Sequence, residues 1–145
     1  MLALLDECPS CFFRSTFPAH FTGSALVLNA DGSRALLHHH RKLDRWLQFS
    51  GHCDGEEDVL RVAQCEAQEE SGIAELIVAS ARPFDLDIHE IPAHGAESTH
   101  RHYDTRYVLI APEGAATKPA RRAKSSAGSP LMNWSAYRSM RASIA

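Results

Sequence analysis

The order of apolar and polar residues along this 145-residue chain predicts a series of strands and one clear helix. Residues 20–29 (HFTGSALVLN) are strand-like, Asp31-Gly32 marks a turn, and residues 34–40 are a plausible hairpin partner. A short segment at 43–49 ends at Ser50-Gly51. Further strands are predicted at 76–81, 84–91, 102–111 and 131–134, after a short helix or irregular lead-in at 1–13.

The predicted helix lies in the middle of the chain. Residues 58–71 contain neither glycine nor proline and are rich in helix formers, and Gly72 stands where a helix would end. A last helix is predicted at 135–144, after a connection at 112–130 that is rich in small and basic residues and that we expect to be mobile. Strands around a central helix predict one α/β or α+β domain, an α/β/α arrangement that spans residues 1–145.

The composition fits a globular protein, with 44% hydrophobic and 23% charged residues. The longest apolar runs are far shorter than the roughly 18–20 residues that span a bilayer, so no membrane partner is expected. The net charge of −3 gives no reason to expect nucleic-acid binding. That charge is unevenly distributed, because residues 114–145 carry +6 and the remainder carries −9.

The N-terminus and the cysteines indicate a cytoplasmic protein. Asp6 and Glu7 follow the first apolar residues directly and no basic region precedes them, so a secretory signal is not expected. Cys8 and Cys11 form a CxxC motif, which is found in redox sites and in halves of zinc sites. No strand precedes this motif and no second CxxC exists, so we expect ordinary reduced thiols.

The predicted helix carries a cluster of acids. Glu66, Glu69 and Glu70 lie three and four residues apart and so share one face with the apolar residues that must pack, among them Val59, Val62 and Ala63. Like charges near a core edge raise each other's pKa, and a bound hard cation such as Mg²⁺ relieves that conflict. The alternative is a glutamate-rich flank whose spacing is incidental.

The residues around the acids form a longer pattern. Gly51, five residues, Glu57, seven residues and then 65–73 (CEAQEESGI) resemble the signature of the Nudix hydrolases, with Cys65 where that signature has arginine. Residues 38–48, 52–55 and 100–104 extend the resemblance to a bacterial Nudix subgroup, so that roughly residues 18–111 follow it.

The resemblance implies a mixed-sheet α/β/α sandwich and Mg²⁺- or Mn²⁺-dependent hydrolysis of a nucleoside diphosphate linked to another moiety. By position, Glu66 and Glu70 would be the principal metal ligands. Glu69 and the backbone carbonyl of Ser50 would assist, and Glu66 or Glu57 would position or deprotonate the attacking water. The expected partner is therefore a nucleoside diphosphate derivative. The oligomeric state is left open, with a homodimer as one alternative because Nudix proteins often dimerise.

Several residues are candidates for substrate contacts. Gly51 lets the backbone approach the phosphates closely, and His52 and His102 are candidates to line the phosphate pocket. Trp46 is a candidate to stack on a base, although core packing is the favoured interpretation. A dedicated zinc site among the histidines, such as 38–40 or His100 with His102, is a further alternative.

Two departures from the Nudix pattern make a second function plausible. Cys65 cannot supply the positive charge that would brace Glu69, and no acid follows Glu113, so Gly128 stands where many members have a further glutamate. The alternative is a catalytically weak nucleotide-binding module with the same fold, and a third is a structural protein whose acidic helix binds no metal. Asp104 and Arg106 are expected to share the pocket wall or to pair on a solvated strand face.

Overall fold

The computed structural model describes residues 1–40, 44–116 and 131–133. The predicted helix at 135–144, Trp134, Gly128 and most of the connection at 112–130 lie outside these residues. No helix in the described part of the chain is long and apolar enough to cross a membrane. All four cysteines are free thiols, and Cys11 and Cys53 are buried.

The described elements follow the predicted order. They are α1 (Leu2–Glu7), β1 (Ala19–Leu28), β2 (Arg34–Leu36), β3 (His38–His40), β4 (Arg45–Leu47), β5 (Phe49–His52), α2 (Val59–Ser71), β6 (Ile77–Val78), β7 (Asp85–Ile91), β8 (His100–Ile110) and β9 (Leu131–Asn133). The hairpin partner predicted over 34–40 is confirmed for β2 alone, which pairs antiparallel with β1, and its extension to residue 40 is wrong. The chain leaves the main sheet at Leu37, and β3 pairs with β4 in a separate two-stranded sheet.

The main sheet is mixed and is built around β1. Its strands follow the order β6-β8-β1-β2-β9, while β5 also pairs with β1 and β7 also pairs with β8. β1 and β8 are parallel, from Ala19 opposite Arg101 to Leu28 opposite Ile110, and the other pairs are antiparallel. The α/β class and the mixed sheet predicted from the sequence are therefore confirmed.

The helix α2 packs across β1 and β5. The side chain of Asp58 accepts a hydrogen bond from the backbone N–H of Arg61 at the start of the helix, and Gly72 ends it in the left-handed conformation with φ 72°. Ala63 and Ala67 are fully buried in the main apolar cluster with Phe49. This packing fixes which way the remaining residues of α2 point, and so it positions the glutamates.

The two faces of the main sheet differ in chemistry. The face under α2 is apolar, whereas the opposite face carries polar residues that alternate along β1 and β8. Opposed pairs on that second face are His20 with His102, Thr22 with Asp104 and Ser24 with Arg106. Most of these residues are buried, so each must find a partner within the protein or bind a ligand.

Candidate active site

Glu66 lies against the backbone of β5. A Cβ atom added at Gly51 would be 2.3 Å from Cδ of Glu66 and 2.4 Å from its Oε1. Any side chain at position 51 would therefore occupy the space that the carboxylate fills. The glycine of the predicted motif is required here by this close approach.

Glu70 lies one turn further along α2 and faces β3. Nδ1 of His38 is 3.2 Å from Oε2 of Glu70, but the contact does not form a hydrogen bond. Oε2 is buried and has no hydrogen-bond partner among the described residues. Burial lowers the pKa of His38 to about 4, so this imidazole is neutral at pH 7 and does not neutralise the carboxylate.

The electrostatics of the two glutamates favour a cation. Burial, followed by repulsion from Glu66 and Glu69, raises the pKa of Glu70 to about 7. Burial and the charge of Glu69 also raise the pKa of Glu66. A hard divalent cation would neutralise the repulsion between the carboxylates and bind Oε2 of Glu70, so the carboxylate donors fit Mg²⁺ or Mn²⁺.

The other residues predicted around this centre are more exposed. Glu57 precedes α2, and Glu69 lies on the solvent side of the helix, where its charge acts on Glu66 and Glu70. Ser50 lies in β5 opposite Ser24. The structure thus brings Glu66, Glu70 and Gly51 together, with Ser50 adjacent.

Histidines gather on the opposite face of the sheet. The ring centroids of His52 and His102 are 5.2 Å apart. The ring centroid of His20 lies 5.3 Å from that of His52 and 4.9 Å from that of His102. Burial first, and then the charge of Arg14, lowers the pKa of His52 to about 4. Burial first, and then His52, lowers the pKa of His102 to about 3, so these rings are neutral at pH 7. Because Gly51 and His52 are consecutive in β5, the glutamates and histidines occupy opposite faces.

Sequence patterns gave no signal for Arg14. Its Nε donates a hydrogen bond to Oδ1 of Asp54 at 2.7 Å, and this bond lowers the pKa of Asp54. The positive charge of Arg14 also acts on Glu66, where it opposes the rise in pKa. Arg14 comes from the segment between α1 and β1, so only the folded chain shows that it lies near the site.

Asp104 and Arg106 form the centre of a buried network. Asp104 accepts hydrogen bonds from two hydroxyl groups at 3.0 and 2.6 Å, those of Thr22 and Ser24. Nε of Arg106 donates to Asp104 at 2.7 Å, and its terminal nitrogens donate to Asp85 and Asp87. Asp104 is 3% exposed and Arg106 6%, so the expectation of a solvated face is wrong. The residues do pair, but within the protein, because β1 and β7 flank β8.

Trp46 lies in β4, is half-buried and packs against a second apolar cluster, which comprises Leu26, Ala35 and Leu37. Its ring centroid is 4.9 Å from that of His39. These contacts give Trp46 a packing role. Base stacking by Trp46 stays a prediction.

Similarity to known proteins is found at the level of structure. No protein-family model matches the chain, and no curated protein matches it. A Nudix-family hydrolase from Clostridium perfringens superposes with a TM-score of 0.62 at 18% identity, covering 83% of this chain and 85% of that one. A C. elegans Ap4A hydrolase gives 0.62 at 14% identity, covering 82% and 83%. An E. coli dihydroneopterin triphosphate pyrophosphohydrolase gives 0.55 at 15% identity, covering 82% and 84%.

These likenesses define the class of the fold. Within the described residues, a mixed sheet with the helix α2 packed on one face matches the α/β fold of these neighbours. The chain has the fold of the Nudix hydrolases, as the resemblance of residues 51–73 led us to expect.

Proposed function

We propose that this protein is a divalent-metal-dependent hydrolase that cleaves a phosphoanhydride bond in a nucleoside diphosphate linked to another moiety. The observation that carries the proposal is the pair of half-buried carboxylates: Glu66 lies against Gly51, and Oε2 of Glu70 has no hydrogen-bond partner in the described part of the chain. Two proteins of the same fold are named as an Ap4A hydrolase and a dihydroneopterin triphosphate pyrophosphohydrolase, which supports pyrophosphohydrolase activity in general.

The residues available as metal ligands are Glu66 and Glu70, assisted by Glu69 and the backbone carbonyl of Ser50. When bound, Mg²⁺ or Mn²⁺ supplies the positive charge that diphosphate cleavage requires. The carboxylate of Glu66, or that of Glu57, accepts a proton from the attacking water.

The proposed substrate contacts come from both faces of β5. Gly51 is proposed to contact the phosphates through its backbone beside the Glu66 carboxylate, and His52 and His102, on the other face, are neutral imidazoles that can donate hydrogen bonds to phosphate oxygens. Trp46 is proposed to stack on the base.

A substrate panel tests the proposal. The protein is incubated with Mg²⁺ and dinucleoside polyphosphates, nucleotide sugars or nucleoside triphosphates, and phosphate-containing products are separated by anion exchange. We expect turnover of at least one class, and we expect a chelator to abolish it. If no member is turned over but calorimetry detects nucleotide binding, the second candidate, a binding module, is supported instead. The exposed Cys65 at the arginine position favours that second candidate.

Gly51→Ala tests whether the position of Glu66 matters for turnover. The added methyl group would displace the Glu66 carboxylate, and a loss of kcat/KM of about 100-fold is expected from a misplaced catalytic group. The melting temperature should change little, because the displaced group is the end of a flexible side chain. Gly32→Ala is the matched control, since Gly32 has φ 71° and no atom within 4 Å of an added Cβ. That control should lose stability and keep kcat/KM, and full activity in Gly51→Ala would contradict the assigned role of Glu66.

A further inference from the structure

A second group of potential metal ligands lies on the sheet face opposite α2. His20, His100 and His102 each offer one ring nitrogen, and these three atoms lie within 4.8 Å of one another. His20 comes from the start of β1, and the other two come from the start of β8. The parallel pairing of β1 with β8 sets His20 directly beside His102, and the alternation along β8 puts His100 on the same face.

Backbone carbonyls orient two of these rings. Nδ1 of His20 lies 3.2 Å from the carbonyl oxygen of Thr16, and Nδ1 of His100 lies 2.8 Å from that of Ser98. A carbonyl only accepts hydrogen bonds, so Nδ1 carries a proton in both rings. The nitrogen with which each ring would bind a metal ion is then Nε2. This is the arrangement by which outer hydrogen bonds fix the tautomer of a metal-binding histidine.

The lone pair on His20 has no partner of its own. His20 is 1% exposed, and its buried Nε2 has no hydrogen-bond partner within the described ranges. Nε2 of His100 and Nε2 of His102 are 3.3 Å apart. Tetrahedral coordination at about 2.0–2.1 Å per bond separates two ligand nitrogens by about 3.3 Å. One pair of donors is therefore already at the spacing that a zinc ion requires.

We propose that His20, His100 and His102 form a binding site for a transition-metal ion, foremost Zn²⁺, through Nε2 of each ring. Imidazole donors suit zinc and its neighbours, whereas Mg²⁺ prefers oxygen, so this site and the carboxylates would select different ions. Three protein ligands leave the fourth coordination position for water or an anionic ligand, as in catalytic zinc sites. His102 is partly exposed, which gives the ion a path from solvent.

Metal binding by the chelator-stripped full chain tests this site. Zn²⁺ is titrated by calorimetry in excess Mg²⁺, and Co²⁺ replaces Zn²⁺ for absorption spectroscopy. We expect one Zn²⁺ per chain, and visible Co²⁺ bands typical of tetrahedral nitrogen coordination, without a thiolate charge-transfer band. A thiolate band, or no binding at all, would overturn the proposal. In the latter case the contact between His100 and His102 is a simple hydrogen bond.

Substitutions assign the ligands. His102→Gln and His100→Gln should each weaken Zn²⁺ binding at least about 100-fold, because loss of an outer-shell partner alone costs 10–100-fold. His94→Gln, in the exposed loop after β7, is the matched control and should bind as the wild type does. Glu70→Gln should also retain Zn²⁺. If the two histidine variants bind normally, or if Glu70→Gln loses the ion, the site is not the one proposed. His102 is the least buried ligand, so its variant remains informative if others fail to fold.

Discussion

Glu70→Gln is expected to stabilise the metal-free protein above pH 7 while removing most of its hydrolase activity. The two effects have one origin, because burial and the charges of Glu66 and Glu69 disfavour the ionised form of the wild-type carboxylate. The amide keeps the shape of the side chain and removes the charge. It therefore relieves the repulsion, but it is a poorer ligand for a hard cation.

The sign of the pH effect follows from the pKa of Glu70, which is about 7 in the folded protein against an ordinary value of 4.5. The folded state keeps this proton at pH values where the unfolded state has released it. The resulting stabilisation is fully present below pH 4.5 and is lost as the pH rises to about 7. Above that pH the charged group costs about 3 kcal/mol in the metal-free protein.

Urea unfolding in the presence of a chelator, from pH 4 to 8, measures the difference between wild type and Glu70→Gln. Taking the difference cancels the ionisable groups that are remote from Glu70, whereas His38, 3.2 Å from its carboxylate, contributes to the difference. Glu75→Gln, at an exposed position after α2, is the control and should match wild type in stability and activity. A Glu70→Gln variant with full kcat/KM, where we expect a loss of about 100-fold or more, would contradict the proposed ligand set.

Arg106→Met should lower the free energy of unfolding by about 3–5 kcal/mol, because removing one member of a buried ion pair leaves the other charge uncompensated. Asp104 carries the charge that is left uncompensated, because it is 3% exposed and lies between β1 and β7. Its bonds from Thr22 and Ser24 remain, but hydroxyl groups do not replace a guanidinium.

Chemical denaturation compares Arg106→Met with Arg101→Met, an exposed arginine on the same strand. The control should lie within about 0.5 kcal/mol of wild type. The double variant Asp104→Asn, Arg106→Met should recover part of the loss, because it no longer buries the Asp104 charge. Equal stability of Arg106→Met and Arg101→Met would show that the network contributes nothing.

The sequence was most informative where the relevant residues are close in the chain. Asp58 and Gly72 predict the limits of α2, and the spacing of Glu66 and Glu70 predicts that their carboxylates share a face with its packing side. The departure of the chain from the main sheet at Leu37 was not predictable, because the pattern of apolar residues in a strand does not indicate which sheet the strand joins. The burial of Asp104 and Arg106 depends on β1 and β7, which lie 80 and about 20 residues away.

The same limit applies to the histidines. The sequence indicates that His100 and His102 share a face, and it says nothing of His20, which reaches them only through strand pairing. Arg14 is similar, because its neighbours Asp54 and Glu66 are set by the fold. Local periodicity predicts the faces of elements, and long-range pairing decides which faces meet.

The parallel pairing of β1 with β8 also determines when the protein can fold during synthesis. β1 ends at Leu28, but the strand beside it along its whole length is not complete until Ile110 has left the ribosome. Until then β1 has only β2 and β5 as neighbours, and a long strand with an open edge is a site of aggregation. Contacts of such high sequence separation slow folding. We therefore expect the main sheet to form only after β8 has been synthesised.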